Sequence, residues 1–200
     1  MASHHEVAAR YWGHLIQQDK KPSPVLQQLL LGLAKYILTC LQKKHVAPWD
    51  VDCLTPPKLA TFYRLVGGDY DPLFLDTQDS SLSFIYQSLG CFHTLQPTKD
   101  PYTSPTVPAL TARGFVKWQT MQLLLDPAEH VPFLQEAVKR FDLVNSQDGE
   151  PFPSLLPREA LPMKPDKAMV DWHDLVSEKL MLDVKASREP TKTPPDLPWP

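Results

Sequence analysis

The amino-acid sequence predicts an all-α fold, a compact domain of about seven helices joined by proline-rich connecting arms. Apolar residues recur three and four positions apart in several segments, which is the spacing of one face of an α-helix. Alternating strand patterns and Asn-Gly hairpin signals are absent from the sequence. The 200 residues include 22 prolines and only 7 glycines, so the breaks between helices are expected to be stiff.

Two helices are predicted in the N-terminal part of the chain. One apolar stripe predicts a helix over 6–18, and a proline-rich break follows it. Ser23 and Pro24 then form a cap followed by proline, which is typical of a helix start. The helix that begins there, over about 24–44, is apolar on several sides, so we expect it to be the central, most buried element.

Two shorter helices follow. A helix over 55–66 begins with a threonine cap and two prolines, and it ends at a Gly-Gly pair that suits a left-handed cap. A helix over 80–89 begins at Ser80 or Ser81 and ends at Gly90.

The next segment, 97–108, contains four prolines and is predicted to be a stiff extended connection. Thr111 caps a helix with one strong apolar face, and Asp126 starts another helix by the same cap-then-proline pattern. Pro132 lies inside this second helix, so a kink or break is expected near His130.

The C-terminal part has two proline-rich segments on either side of a last helix. Residues 151–165 contain five prolines and are predicted to wrap the body as an ordered arm anchored by Phe152, Leu155, Leu156 and Leu161. The last helix is predicted over 166–187. The sequence thus predicts a single helical domain over 6–187 and a proline-rich disordered tail over 188–200.

Charge and cysteine usage exclude several classes of protein. The net charge of −3 lacks the basic footprint of a nucleic-acid binder, so no nucleic acid is predicted as a partner. The most apolar run, 25–41, is interrupted by polar residues, so no transmembrane segment is predicted. Three widely spaced cysteines and no apolar N-terminal stretch indicate an intracellular protein, cytoplasmic or nuclear.

Metal and cofactor sites are not predicted. Structural zinc sites usually bring ligands as close pairs, and such pairs are missing from the series Cys40, His45, Cys53, Cys91 and His93. Asp69 and Asp71 begin a stretch like a calcium loop, but it lacks the glycine at its sixth position and the glutamate at its twelfth. A degenerate EF-hand-like pairing of helices remains an architectural alternative without calcium chemistry.

Catalytic motifs are missing as well. The sequence has no HExxH, GxSxG, P-loop or GxGxxG pattern, so no catalytic residue is predicted. Whether the chain is an enzyme stays open, although the missing motifs favour a non-catalytic protein. The alternative is a small-molecule-binding or enzymatic helical protein whose pocket is lined by Asp69, Asp71, His93, His130 and His173.

The tail carries one motif with a known recognition mode. Lys192, Pro195 and Pro198 have the basic-plus-PxxP form that binds aromatic SH3 grooves from a polyproline II helix. With the abundant aromatic residues, this motif favours a non-catalytic interaction or scaffold domain with a protein partner as the leading hypothesis.

A set of short stretches also forms a recognisable combination: LTPPKLATFY (54–63), GGDYD (67–71), SLSFIYQSLGC (81–91), HTLQP (93–97), GFVKWQT (114–120), EHVPFLQ (129–135), PFP (151–153) and LPRE (156–159). Together they resemble a domain-of-unknown-function family of filamentous fungi, over about residues 10–175. This resemblance implies a fungal, intracellular, helical domain. It implies no activity and no catalytic or binding residues.

Overall fold

The computed structural model describes residues 4–43, 51–98, 100 and 102–188. Contacts divide the chain into two compact units, one that ends at Asp166 and one that begins at Lys167. The predicted single domain over 6–187 stays a prediction.

The first unit holds six of the seven α-helices found among the described residues, and the second unit is built on the last one. In chain order they are α1 (His4–Trp12), α2 (Pro24–Lys43), α3 (Pro56–Leu65), α4 (Asp79–Ser88), α5 (Ala112–Leu125), α6 (Pro127–Arg140) and α7 (Lys167–Arg188). A π-helical turn covers Pro72–Asp76, and a 3-10 turn covers Arg158–Ala160. None of the described helices is long and apolar enough to cross a membrane.

One small sheet makes the all-α prediction wrong in part, because the fold is mostly helical rather than entirely so. Strand β1 (His93–Gln96) pairs antiparallel with β2 (Val107–Leu110), with His93 opposite Leu110. Only the last two residues of the segment predicted as an extended connection, 107–108, belong to this sheet. Pro108 argued against a strand there, since proline is uncommon inside a strand.

Pro108 fits this strand because its nitrogen faces away from β1. Leu110 exchanges both backbone hydrogen bonds with Leu54, at 2.9 and 3.0 Å, on the side of β2 opposite β1. Alternate residues of a strand direct their backbone groups to the same side, so Pro108 shares this outward side with Leu110. The N–H group that Pro108 lacks would therefore have pointed away from β1, so the pairing of β1 with β2 loses no hydrogen bond.

The helix starts follow the predicted caps at three of five positions. Ser23 Oγ accepts from Leu26 N at 3.2 Å, Thr111 Oγ1 from Gly114 N at 3.0 Å, and Asp126 Oδ1 from Glu129 N at 3.1 Å. Thr55 occupies the cap position of α3, but its buried hydroxyl has no hydrogen-bond partner among the described residues. The predicted serine cap of α4 is wrong, because this helix begins at Asp79.

Two boundaries also differ from the prediction. Helix α1 ends at Trp12 instead of residue 18, because Gly13 has a φ of +55° and the chain turns back to pair Ile16 with Pro22. The predicted break near His130 is wrong, because helix α6 continues through Pro132, whereas a kink there stays a prediction. A proline removes only one hydrogen bond of the helix, and the helix on both sides of it is held by packing.

The core lies between α2 and α5, which pack against each other. Four leucines of α2 are fully buried: Leu26, Leu29, Leu30 and Leu33. Gly32 allows the carbonyl of Val144 to approach, since a Cβ at this position would lie 2.8 Å from that oxygen. Helix α2 is therefore a core helix, as predicted, but it is not the most buried element, since nine of the 14 residues of α5 are buried.

The arm over 151–165 is ordered against this core, as predicted. Phe152 stacks on Trp12 with ring centroids 5.8 Å apart, and Gln135 Nε2 donates to the Leu156 carbonyl at 2.8 Å. Phe152, Leu156 and Leu161 are buried, whereas the fourth predicted anchor, Leu155, is exposed. Proline here stiffens a packed segment rather than an unfolded one.

Replacing Gly114 should test how tightly β1 is held to the start of α5. A Cβ at Gly114 would lie 1.9 Å from the Phe92 carbonyl oxygen, so Gly114→Ala must push the backbone apart and should cost about 3 kcal/mol of unfolding free energy, measured by urea denaturation. Gly90→Ala is the control, because Gly90 has open space and a φ of +66°, which costs an alanine about 1 kcal/mol. An equal loss in both variants would contradict the close approach at Gly114.

Candidate functional site

An aromatic cluster centred on Tyr63 fills the space between α3, the π-helical turn, α5 and α6. The Tyr63 ring stacks on Tyr70 with centroids 4.1 Å apart and on Phe74 at 5.8 Å. Its hydroxyl accepts hydrogen bonds from Trp118 Nε1 at 3.0 Å and Gln119 Nε2 at 3.1 Å. Burial raises the pKa of Tyr63 well above its usual range, so the phenol stays neutral.

His130 lies at one side of this aromatic cluster. Its Nε2 and the Tyr70 hydroxyl form a hydrogen bond of 2.8 Å, and its ring packs edge-on against Phe133. Its Nδ1 is buried and has no hydrogen-bond partner among the described residues. Burial lowers the pKa of His130 to about 4, and the charge of Asp126 only partly opposes this shift. His130 is therefore neutral at pH 7.

His93 lies at the other side of the cluster. Its Nε2 hydrogen-bonds with Ser83 Oγ at 2.9 Å, and its Nδ1 with the Cys91 carbonyl at 3.1 Å. Its ring contacts Tyr86, which in turn contacts Trp118. Both ring nitrogens of His93 are thus engaged within the fold.

The two predicted aspartates lie on the turn that carries Tyr70. The Arg64 Nε–H is shared between the two carboxylate oxygens of Asp71, at 2.8 and 3.0 Å, and Arg64 Nη2 donates to Oδ2 as well. Asp69 Oδ1 accepts from the Asp71 amide at 3.3 Å. The structure thus brings Asp69, Asp71 and His130 to one end of the aromatic cluster through Tyr70. Asp71 is committed there to an ion pair with Arg64.

The fifth predicted residue, His173, lies in the second unit. Its Nδ1 is 3.6 Å from Asp174 Oδ1, and its side chain is half exposed. The shared pocket of five residues stays a prediction. The tail motif of Lys192, Pro195 and Pro198 lies outside the described residues.

Instead, a cleft of about 320 Å³ opens in the first unit, and none of the five predicted residues lines it. We call it the Lys20 cleft. Its walls are His14, Ile16, Gln17, Gln18, Lys20, Leu124, Ala160, Leu161, Pro162, Lys164, Pro165 and Asp166. Lys20 Nζ lies 2.6 Å from Asp166 Oδ1.

A second surface surrounds the first strand. We define the β1 edge as Phe92 together with β1 itself, His93–Gln96. The Phe92 side chain is 67% exposed and that of Leu95 is 50% exposed, although both are large and apolar. Neighbouring Cys91 is buried, which raises the pKa of its thiol to about 12 against the opposing charge of Lys117.

Sequence reasoning missed both surfaces. The ion pair of the Lys20 cleft joins residues 146 positions apart, and a local pattern carries no signal for it. The β1 edge shows no alternating apolar pattern, since Leu95 is the only large apolar residue within His93–Gln96, so the sequence carries no strand signal there.

Within the described ranges, no group of three or more His, Cys, Asp or Glu side chains is placed so that it could hold a metal ion.

Comparison with known proteins gives one match. A family model described as a domain of unknown function, DUF7514, matches residues 13–177. No curated protein and no solved structure matches the chain. The match agrees with the resemblance to a domain of unknown function, while the fungal origin and the compartment stay predictions.

Tyr63→Phe should destabilise the fold by about 2 kcal/mol, because the N–H groups of Trp118 and Gln119 would lose their buried acceptor. Urea denaturation measures the change. Tyr86→Phe is a matched control: the Tyr86 hydroxyl is equally buried and has no hydrogen-bond partner among the described residues, so its removal should be neutral or stabilising. A similar loss in both variants would contradict the acceptor role of Tyr63.

His130 should make stability depend on pH. With its pKa near 6.5 when unfolded and about 4 when folded, the unfolded state binds more protons between these values. The contribution of neutral His130 to the free energy of unfolding is therefore fully present above pH 6.5. The free energy of unfolding should fall by about 3 kcal/mol as the pH drops to 4. The groups that face His130 are Tyr70, Glu129 at 3.7 Å, and Asp126.

The measurement is urea denaturation at a series of pH values. His130→Gln, which can still hydrogen-bond with Tyr70, should flatten the curve between pH 4 and 6.5. The exposed His4→Gln should leave the curve unchanged. An unchanged slope in His130→Gln would show that other groups cause the dependence.

Proposed function

We propose that this chain, which belongs to the DUF7514 family of domains of unknown function, is a non-catalytic interaction domain that binds an extended peptide along the β1 edge. The observation that carries this proposal is an edge strand with exposed apolar side chains and unpaired backbone groups. Such edges recognise peptides by accepting them as an additional strand.

The backbone of β1 offers hydrogen bonds on its outer side. Thr111 N donates to the Phe92 carbonyl at 3.0 Å, so the backbone groups of Phe92 face towards β2. Because every second residue of a strand directs its backbone groups to the same side, Thr94 and Gln96 also bond to β2. The N–H and C=O groups of His93 and Leu95 point the other way. None of the described residues hydrogen-bonds to these outward groups.

The side chains of the β1 edge offer apolar contacts on both faces of an added strand. Phe92 and Thr94 lie on one face, and His93 and Leu95 lie on the other, because side chains alternate along a strand. Helix α4 packs on the sheet and holds His93 through Ser83. A peptide with alternating apolar residues would therefore cover Phe92 and Leu95, which are now exposed.

Positive charge near the β1 edge favours a peptide with acidic residues. Helix α5 begins directly after β2, beside Phe92, and its N-terminus carries a partial positive charge. Arg113 and Lys117 of this helix are exposed, and neither forms an ion pair with a described residue. An antiparallel peptide would bring its C-terminal end to this place. The partner proposed is therefore an extended, apolar-alternating segment with acidic residues at its C-terminal end.

We also propose that the protein is intracellular. Cys40, Cys53 and Cys91 are free thiols, and Cys91 is buried. Free thiols persist in the reducing interior of cells. The PxxP motif of the tail stays a separate prediction of a partner.

Binding can be tested with a synthetic peptide in which valine and threonine alternate before two C-terminal glutamates. NMR-detected amide hydrogen exchange should show slowed exchange at His93 and Leu95, whose N–H groups would become bonded. Thr94 and Gln96 should change little, because β2 already pairs with them. A peptide with lysines in place of the glutamates should bind about tenfold more weakly.

Phe92→Ser should weaken binding of the glutamate peptide. Leu75→Ser is the matched control, since Leu75 is 44% exposed and lies on the π-helical turn, away from the β1 edge in the sequence. Absence of binding up to the solubility limit of the peptide, or binding without protection of the His93 and Leu95 amides, would overturn the proposal.

A further inference from the structure

We infer that the Lys20 cleft binds a small organic anion, a molecule with an apolar body and one carboxylate or phosphate group. The site is independent of the proposed peptide surface, because the two share no residue. Its volume of about 320 Å³ falls at the lower end of the range of ligand pockets, roughly 300–1,000 Å³.

Backbone hydrogen bonds fix the walls of the cleft. Leu15 N donates to the Ala160 carbonyl at 2.8 Å, which ties the turn after α1 to the 3-10 turn. Asp166 N donates to the Leu124 carbonyl, also at 2.8 Å, which ties the other rim to the last turn of α5. Binding in such a preformed cleft loses little conformational entropy.

The lining favours negative charge in a ligand. Two lysines, Lys20 and Lys164, and one histidine, His14, line the cleft, against a single acid, Asp166. Asp166 already pairs with Lys20, whereas Lys164 is exposed and forms no ion pair with a described residue. An anionic group on the ligand would therefore find Lys164 available, with Lys20 lining the same cleft.

Lys20 has a backbone conformation that is unfavourable for a residue with a side chain. Lys20 has a φ of +65°, in the left-handed region that glycine adopts most easily. The turn that imposes this conformation is closed by Gln17 N donating to the Lys21 carbonyl and Lys20 N donating to the Gln17 carbonyl, both at 2.9 Å. A glycine would fit this turn without strain, but it would leave the cleft without the ammonium group.

Apolar residues form the rest of the lining and set the body of the ligand. They come from three separate parts of the chain: Ile16, Leu124, Leu161, Pro162 and Pro165. A purely ionic ligand such as inorganic phosphate would leave this surface uncovered. An aromatic or branched acid would use both parts of the lining.

The inference can be tested by NMR titration of the whole chain with benzoate, phenyl phosphate and the neutral benzyl alcohol. Both anions should shift the amide signals of Gln17, Gln18, Ala160 and Lys164, and the better anion should bind at least about tenfold more tightly than benzyl alcohol. Tighter binding of benzoate assigns the site to carboxylates, and tighter binding of phenyl phosphate assigns it to phosphate esters.

Three variants and one control test the residues of the cleft. Lys164→Gln should weaken anion binding about tenfold, and Lys139→Gln, an exposed lysine of α6, is the matched control that should not. Lys20→Gly should also weaken binding while the chain stays folded, because glycine suits a φ of +65°. Asp166→Asn should strengthen it, since the competing carboxylate is lost.

If neither benzoate nor phenyl phosphate binds more tightly than benzyl alcohol, the inference is overturned. Anion binding that Lys164→Gln and Lys20→Gly leave unchanged, or an absence of shifts at the cleft residues, would also overturn it. None of these results would bear on the β1 edge, whose amide protection is measured separately.

Discussion

Two side-chain N–H groups of α5, from Trp118 and Gln119, point into the core, and each needs an acceptor there. The Tyr63 hydroxyl supplies it for both, at 3.0 and 3.1 Å. A buried donor without an acceptor costs about 1–3 kcal/mol, so this shared oxygen fixes α3 against α5. The Tyr63 ring also stacks on Tyr70 and Phe74, which places the turn after α3 and the π-helical turn. Through this contact, Tyr63 links α3, the π-helical turn and α5.

Helix α5 is held by these hydrogen bonds, and one candidate surface lies at each of its two ends. At its N-terminal end, Gly114 lets the Phe92 carbonyl approach, and β1 is held there with its outer edge exposed. At its C-terminal end, Leu124 forms part of the Lys20 cleft and binds the Asp166 amide. A helix of 14 residues is about 20 Å long, so one rigid element separates the two candidate surfaces.

The candidate residues named from the sequence were chosen by chemical type, and the structure uses most of them in the fold itself. Asp71 pairs with Arg64, His93 bonds with Ser83, and buried His130 bonds with Tyr70. Sequence can identify a histidine but not its burial, and burial decides whether it is charged at pH 7. The Lys20 cleft depends instead on Lys20 and Asp166, which are distant in sequence.

The sequence by itself determined where the α-helices form and how three of them start, because apolar spacing and capping side chains act within a few residues. Thus Ser23, Thr111 and Asp126 cap the helices that they were predicted to cap, and the proline-rich arm packs through Phe152. The tertiary structure alone decided that Pro108 lies in a strand and that α1 ends at Trp12. These depend on partners such as Leu54 and Ala160, which only folding brings near, and a local pattern cannot encode a contact between distant segments.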